Sequence, residues 1–381
     1  MNLTDFGWSG GNTAAQNTTA FNDFMAACPD GDGAHGVFPC GAFECNSLVV
    51  TKSGIRLSGQ GVATHLINAT TNAPCIKIKG ASRRYHCTVE NLRFGQKADV
   101  TPVAGNCAIL IDDADDCRLH DIITIPYPAA LHNGIVLVVS TNTVLRNLYV
   151  ASCLNDGYHF SGASEIIGGD LASMSNGGSG FVFNGVSGVY ADHLNAFGNA
   201  GSAFKFPAGE TNQYVLGNGW VGDTSGSYNW AITDLNTSTF SDCWGATQLS
   251  TAANTWATGL ILTSSTCFDI GFSNSQFLNN NSHGVIVYDS AHDIRFDNCL
   301  FGGKTGNGNG KSGAGCGFYI GLATHVSVHG CRSRGNASNG IKTAVAASNY
   351  LSFIGNNFTG NTGAATSYGH TGSNVAIGLN L

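Results

Sequence analysis

Short runs of alternating apolar and polar residues recur along the chain, GLILTS, GVIVYD and GFYIGL among them, each opened by a small residue. Period-two runs of this kind predict half-buried β-strands. A turn follows each run, then a second alternating run (CFDIGFS, HDIRFDN, HVSVHGC), then an Asn or Asp that leads into a third short run such as CLFGG or NNFTG. The unit repeats. Segments that start at Gly134, Gly157, Gly180 and Ala203 align with a step of 23 residues, and the step from Gly317 to Gly340 is again 23. Further starts fall near Cys75, Cys107, Tyr228 or Asn229, Gly259 and Gly284. Three strands per repeat predict an all-β chain, a right-handed parallel β-helix solenoid of about a dozen coils. A leucine-rich repeat of similar length needs a Leu/Asn consensus that is missing here, and a propeller needs longer blades.

The N-terminal segment breaks the pattern. In NTTAFNDFMAAC the apolar residues Phe21, Phe24, Met25 and Cys28 are spaced i, i+3, i+4, i+7, which predicts an amphipathic helix entered through Asn17, Thr18 or Thr19. An open solenoid end exposes strand edges and core, so this helix reads as a cap. The expected organisation is a capping segment over 1–45 and a β-helix over 46–381. One polar column, Asn91, Asp121, Asn147, Asp170, Asn218, Asp242, Asn274 and Asn298, recurs near the same turn of successive coils. Stacked amides and carboxyls there suit a left-handed turn, so the column is assigned to structure.

Composition fits this architecture. Charged residues make up 11% and glycines number 52, which disfavours a long exposed helical bundle. With only 7 prolines, turning falls to Gly, Asn, Ser and Asp. No 18-residue apolar run predicts a membrane span, and no basic segment with an apolar core predicts a signal peptide. The expected location is therefore synthesis in the cytoplasm, then a virion surface if the chain is a tailspike, or otherwise an extracellular site. The 13 cysteines show no zinc spacing and sit mostly in strand-like runs, as small buried hydrophobes do in a reducing compartment. Cys28, Cys40 and Cys45 cluster and are the expected exceptions.

The stretches LTDFGWSGGNTAAQNTTAFNDFMAAC, GVFPCGAFEC and GIRLSGQGVATHLI resemble the opening of the pectate-lyase-like superfamily: its Asp-Phe-Gly start, capping helix, first strand and Gly-x-Gly turn. The resemblance covers residues 3–67 in detail and the rest through the coil pattern. It implies glycan handling without fixing the reaction, because the superfamily includes phage tailspikes and depolymerases, polygalacturonases, polyuronate lyases, epimerases and fructan-processing enzymes. It also implies a homotrimer, as in many tailspikes. LNDGYHF, SHGVIV and NGIKTA partly echo polygalacturonase motifs, but the acidic pair Asp112–Asp113 precedes Asp156 instead of following it. The Asp-Pro-His-Glu signature of alginate epimerases is absent.

Candidate chemistry falls in two places. Within a coil, positions +1 and +3 after the opening residue point inward, and −1 and +2 point outward. Asp156 and His159 then become outer neighbours, with Lys205 two coils on, a set suited to proton abstraction in a lyase or epimerase. The second place holds Trp220, Trp230, Trp244 and Trp256, four of the five tryptophans within 37 residues, with Glu210, Asp223, Asp234 and Asp242 among them. Trp230 and Trp244 are expected in the core, and Trp220 and Trp256 against sugar. Asp234 and Asp289 take equivalent turn positions with one coil, carrying Ser264, between them. A gap of roughly 10 Å lies near the separation of an inverting pair, so they are the leading acid and base of a hydrolase, with Glu210 and Asp223 as alternatives. His283 and Tyr288 are expected to bind substrate.

Between Arg146 and Arg295 the only basic residue is Lys205, which favours a neutral or weakly acidic glycan there. Bound Ca²⁺ would change that balance, and Lys77, Lys79, Arg83, Arg84, Arg332 and Arg334 make the ends more basic. No other cofactor is expected. A net charge of −7 disfavours nucleic acid. The leading expectation is a polysaccharide depolymerase acting as a glycoside hydrolase. The alternatives are a lyase or uronate epimerase, and a non-catalytic glycan-binding spike or adhesin shaft.

Overall fold

Glycine opens the coils for a steric reason. A Cβ on Gly134 would lie 2.4 Å from the Gly157 carbonyl oxygen one coil on, and a Cβ on Gly284 would lie 2.5 Å from that of Gly317. At these two positions a side chain would collide with the next coil. The computed structural model describes every residue except 32, 81, 210, 225, 227, 248–256, 303–308, 311–314, 345–348, 364–365, 369–374 and 379–381, and leaves the side chains of 224, 247, 366–368 and 375–377 undescribed. The chain forms a parallel β-solenoid of about 11 turns. It divides into two compact units, Met1–Phe181 with Val189–Ala191, and Val182–Gly188 with Asp192–Leu381.

In the first unit the opening strands Ile76–Ile78, Cys107–Asp112, Asn133–Val138 and Tyr158–Ser161 pair in parallel. Their inward positions stack as Ile76, Ile109, Ile135 and Tyr158, and as Ile78, Ile111, Leu137 and Phe160, all buried. The buried Tyr158 hydroxyl donates to the carbonyls of Leu148 (3.0 Å) and Ala172 (3.2 Å), which satisfies the one polar atom that the ring brings inside. In the second unit the equivalent inward column runs Phe204, Trp230, Leu260, Val285, Phe318 and Ile341. Aromatic rings dominate this core: Trp220 stacks on Trp230 at 5.6 Å, Phe183 on Phe206 at 4.7 Å and Phe272 on Phe296 at 5.2 Å.

The polar column is structural, as its residue types suggest. Asn91, Asp121, Asn147 and Asp170 in the first unit, and Asp242, Asn274 and Asn298 in the second, have φ between 50° and 56°. Asn147 Nδ2 donates to Asp121 Oδ1 at 2.5 Å on the neighbouring coil. At Asn218 the left-handed residue is instead the next one, Gly219.

The N-terminal helix, α1 (Ala14–Ala27), starts three or more residues earlier than its apolar spacing suggests. Thr13 is the N-cap: its hydroxyl accepts from Gln16 N, and Gln16 Oε1 accepts from Thr13 N at 2.9 Å, a reciprocal box. Asn17 is not a cap but a buried tie. Its amide donates to Glu44 O and its Oδ1 accepts from Ser9 N. Phe21 and Phe24 are buried beneath the helix. No helix among the described residues is long and apolar enough to cross a membrane.

All 13 cysteines are free thiols, and 12 of them are buried. Of the N-terminal three, Cys28 and Cys45 join the core, and Cys40 alone is exposed. Burial pushes the thiols of Cys153, Cys243 and Cys267 up to about 12. In the native protein at mild alkaline pH one thiol is therefore expected to react rapidly with an aromatic disulfide reagent, and 13 after denaturation. Several fast native thiols would show that these cysteines are not packed inside.

Candidate functional site

The outer face of the first unit's opening strands presents one aligned column: Lys77, Leu110, Val136 and His159, each on the next strand. At one end of this column the chain builds a carboxylate–imidazole pair. Asn133 Oδ1 accepts from Asp156 N and from Asn155 Nδ2, both at 3.0 Å, which fixes the backbone before the strand. Asp156 Oδ1 accepts from Ser179 N at 2.8 Å and ties the carboxylate to the next coil. Its other oxygen, Oδ2, lies 3.2 Å from His159 Nδ1 and 3.3 Å from Asn155 Nδ2. A proton on Nδ1 facing that oxygen leaves Nε2 with its lone pair, the tautomer of a general base. The Asp156 side chain is 12% accessible and that of His159 is 32%, so the carboxylate is sheltered and the imidazole reachable.

His159 lines a cleft of about 350 Å³ with Leu110, Val136, Val138 and Ser161. The floor is apolar. Lys77, on the strand three places from His159, and Lys79, just past the end of that strand, share one carboxylate, Asp112, at 3.4 and 2.7 Å. The hydrogen bond to Asp112 raises the Lys79 pKa, and the charges of Asp112 and Asp113 add to the shift.

The other candidate residues are scattered. Lys205 is exposed on the second unit. Asp234 and Asp289 do hold equivalent positions: Ile232 pairs with Leu262 and Leu262 with Val287, which places Ser264 between them. Asp234 is buried, however, and Asp289 exposed. Asp223 is half-buried. Trp220 is a correction: it has no exposed surface and packs against Phe183, Phe204 and Trp230, so it cannot touch a sugar. Trp230 is likewise core, and Trp244 is half-buried. Glu210 and Trp256 lie outside the described residues. His283 Nδ1 accepts from Cys316 N at 3.0 Å and its ring packs 5.3 Å from Tyr319, so that nitrogen is committed to the backbone. Tyr288 is exposed, its ring lying where a Cβ on Gly321 would be.

Sequence reasoning missed two features. One is the apolar floor of Leu110 and Val136, which reads as ordinary strand. The other is a polar groove of about 270 Å³ on the second unit, lined by Thr239, Asp269, Asp293, Arg295, His325 and Ser327 among others. Among the described residues no group of three His, Cys, Asp or Glu side chains is placed to hold a metal ion.

Two imidazoles are held neutral. Burial, aided by Arg93, lowers His65 to about 4, and burial, aided by Lys342, lowers His283 to about 4. An unfolded imidazole titrates near 6.5, so between pH 6.5 and 4 the unfolded chain binds more protons and stability falls as pH falls. The urea midpoint is expected to drop across that window, and His65→Gln to flatten the slope. A wild-type midpoint unchanged down to pH 4 would contradict the buried neutral imidazoles.

No known family model matches the sequence, and neither does any curated protein. Solved structures do. The A-module of the Azotobacter vinelandii mannuronan C-5 epimerase AlgE4 superposes with a TM-score of 0.59 over 99% of each chain, at 16% identity. The fold shared with it is the parallel β-helix. The Agl-KA catalytic domain gives a TM-score of 0.59 over 99% of this chain and 68% of its own, at 12% identity. The catalytic domain of a GH87 α-1,3-glucanase, in complex with tetrasaccharides, gives 0.56 over 98% and 68%, at 13% identity. What this β-helix shares with them at such identities is architecture, and the chemistry rests on its own side chains.

Proposed function

We propose that the protein is a polysaccharide-active enzyme that removes the proton beside the carboxylate of a uronic acid residue, at Asp156–His159. The observation that carries this reading is the 3.2 Å contact of Asp156 Oδ2 with His159 Nδ1 at the edge of the apolar cleft. His159 Nε2 takes the ring proton, and Asp156 stabilises the imidazolium that results. Leu110 and Val136 offer a floor to the C–H face of a sugar ring. Lys77 and Lys79 stand three strand spacings away, about 14 Å, so they receive the carboxylate of another residue of the same polymer. The carbanion then either expels the glycosidic oxygen at the adjacent carbon, which leaves with a proton from the imidazolium or from water, as in a lyase, or takes a proton from water on its other face, as in an epimerase. The full-length fold likeness to a mannuronan epimerase supports this reading.

Hydrolysis is the second reading. It is favoured by the shared register of Asp234 and Asp289, two strands apart at about 10 Å, and by the fold likeness to an α-1,3-glucanase. The experiment is incubation with polymannuronate, polygalacturonate and glucuronate-containing polymers, followed by ultraviolet absorbance, sugar configuration by NMR, and reducing ends. Unsaturated or inverted uronates are expected. New reducing ends without either would replace this reading with hydrolysis.

A further inference from the structure

The polar groove on the second unit is built by register. Thr239, Gly271, Arg295 and Ser327 align across four neighbouring strands, and Asp269, Asp293 and His325 precede the last three by two positions. These three have φ of 53°, 55° and 53°, so each strand bends at that point, and only the intervening Ile270, Ile294 and Val326 turn into the core. The bend makes a concave strip with carboxylates on one wall and hydroxyls and a guanidinium on the other.

We infer that this groove is a binding site for neutral oligosaccharide, separate from the reactive pair of the first unit. Sugar as the ligand class rests on the proposed function; neutral is argued from the groove's own chemistry. Asp269 and Asp293 are exposed carboxylates on adjacent coils, about 4.8 Å apart in strand spacing. The one strong cation, Arg295, is already engaged by Asp297 at 3.0 Å. The groove is thus acidic and repels uronates, sulfates and phosphates. A metal ion is a poor fit, since no three suitable ligands converge among the described residues. Vicinal hydroxyls of a neutral sugar fit: each donates to a carboxylate oxygen, while Thr239 and Ser327 give or accept in turn.

Flat rings flank the strip. His325 stacks on Tyr350 with centroids 4.5 Å apart and planes at 3°, and His292 stacks on Phe268 at 5.3 Å and 6°. His292 Nδ1 lies 2.7 Å from Asp293 Oδ2 and His325 Nδ1 lies 3.9 Å from Asp293 Oδ1, so the carboxylate is held between two imidazoles. Four strands span about 14 Å, the reach of several sugar rings, not one.

The test is isothermal titration of the full-length protein with gluco-, galacto- and manno-oligosaccharides, and separately with oligouronates. At least one neutral series is expected to bind. Asp269→Asn with Asp293→Asn, which keeps residues tolerant of the left-handed turn, is expected to weaken it by about tenfold or more. Asp156→Ala is expected to leave neutral binding unchanged. Circular dichroism confirms that the double variant is folded, and Arg295→Ala with Ser327→Ala gives an independent pair with the same expected loss. No binding across the neutral panel, or binding undiminished in both double variants, overturns the inference. Failure of the proposed reaction would show separately, as intact neutral binding with no change in any uronate polymer.

Discussion

His159→Ala is expected to lower kcat on the susceptible uronate polymer by about 10²–10⁴-fold, the usual contribution of a positioned general base, with little change in KM or thermal stability. The imidazole is part-exposed, and among the described residues its one polar contact is with Asp156, so its loss leaves no cavity in the core. Asp156→Asn is expected to do comparable damage by another route. The amide retains an oxygen for Ser179 N but can turn its NH₂ toward His159 Nδ1. That contact favours the proton on Nε2 and removes the lone pair that the reaction needs. The two single variants and the double should then be similarly inactive, because the pair acts as a unit. Steady-state kinetics on all three settle it: substantial activity in His159→Ala would remove the imidazole from the mechanism.

Trp220→Ala is expected to destabilise the protein by about 3–5 kcal/mol and to leave the sugar affinity of the folded fraction unchanged. The indole is fully buried and touches rings on several sides: Phe204 at 5.0 Å, Phe183 at 5.5 Å, Phe240 at 5.5 Å and Trp230 at 5.6 Å. Removing it opens a cavity among side chains held by parallel strands above and below, which collapse poorly into the gap. Urea denaturation gives the stability change. An unaltered midpoint with weakened glycan binding would return Trp220 to the surface role that its neighbours in sequence suggest.

The coil architecture was legible because it is written in period. The opening glycines recur every 23 residues where one coil presses on the next, and the Asn/Asp column marks a turn that only a few residue types tolerate. Asp156 and His159 were legible for the same reason, since counting from Gly157 puts both on the outer face. The register of Asp234 with Asp289 also followed from counting, but their unequal exposure did not. Counting assigns a residue to a column and leaves open how much neighbouring loops cover it. Trp220 was misplaced because composition suggested a sugar platform, whereas Val221 pairs with Asn195 and Trp244, which puts Trp220 just before a strand at a corner filled with rings. The second-unit groove was hidden for a related reason. Asp269, Asp293 and His325 look like ordinary polar positions until the left-handed bend sets them opposite Arg295 and Ser327. Lys77 was read as belonging to a basic end of the chain; register places it in the same outer column as His159, which changes the expected charge of the substrate.

The most direct measurement is proton exchange in D₂O. Uronate polymers incubated with the enzyme should take up deuterium at the carbon beside the carboxylate, or form the unsaturated product, and His159→Ala should do neither. A polymer that is bound and cut while keeping every ring proton would contradict the account.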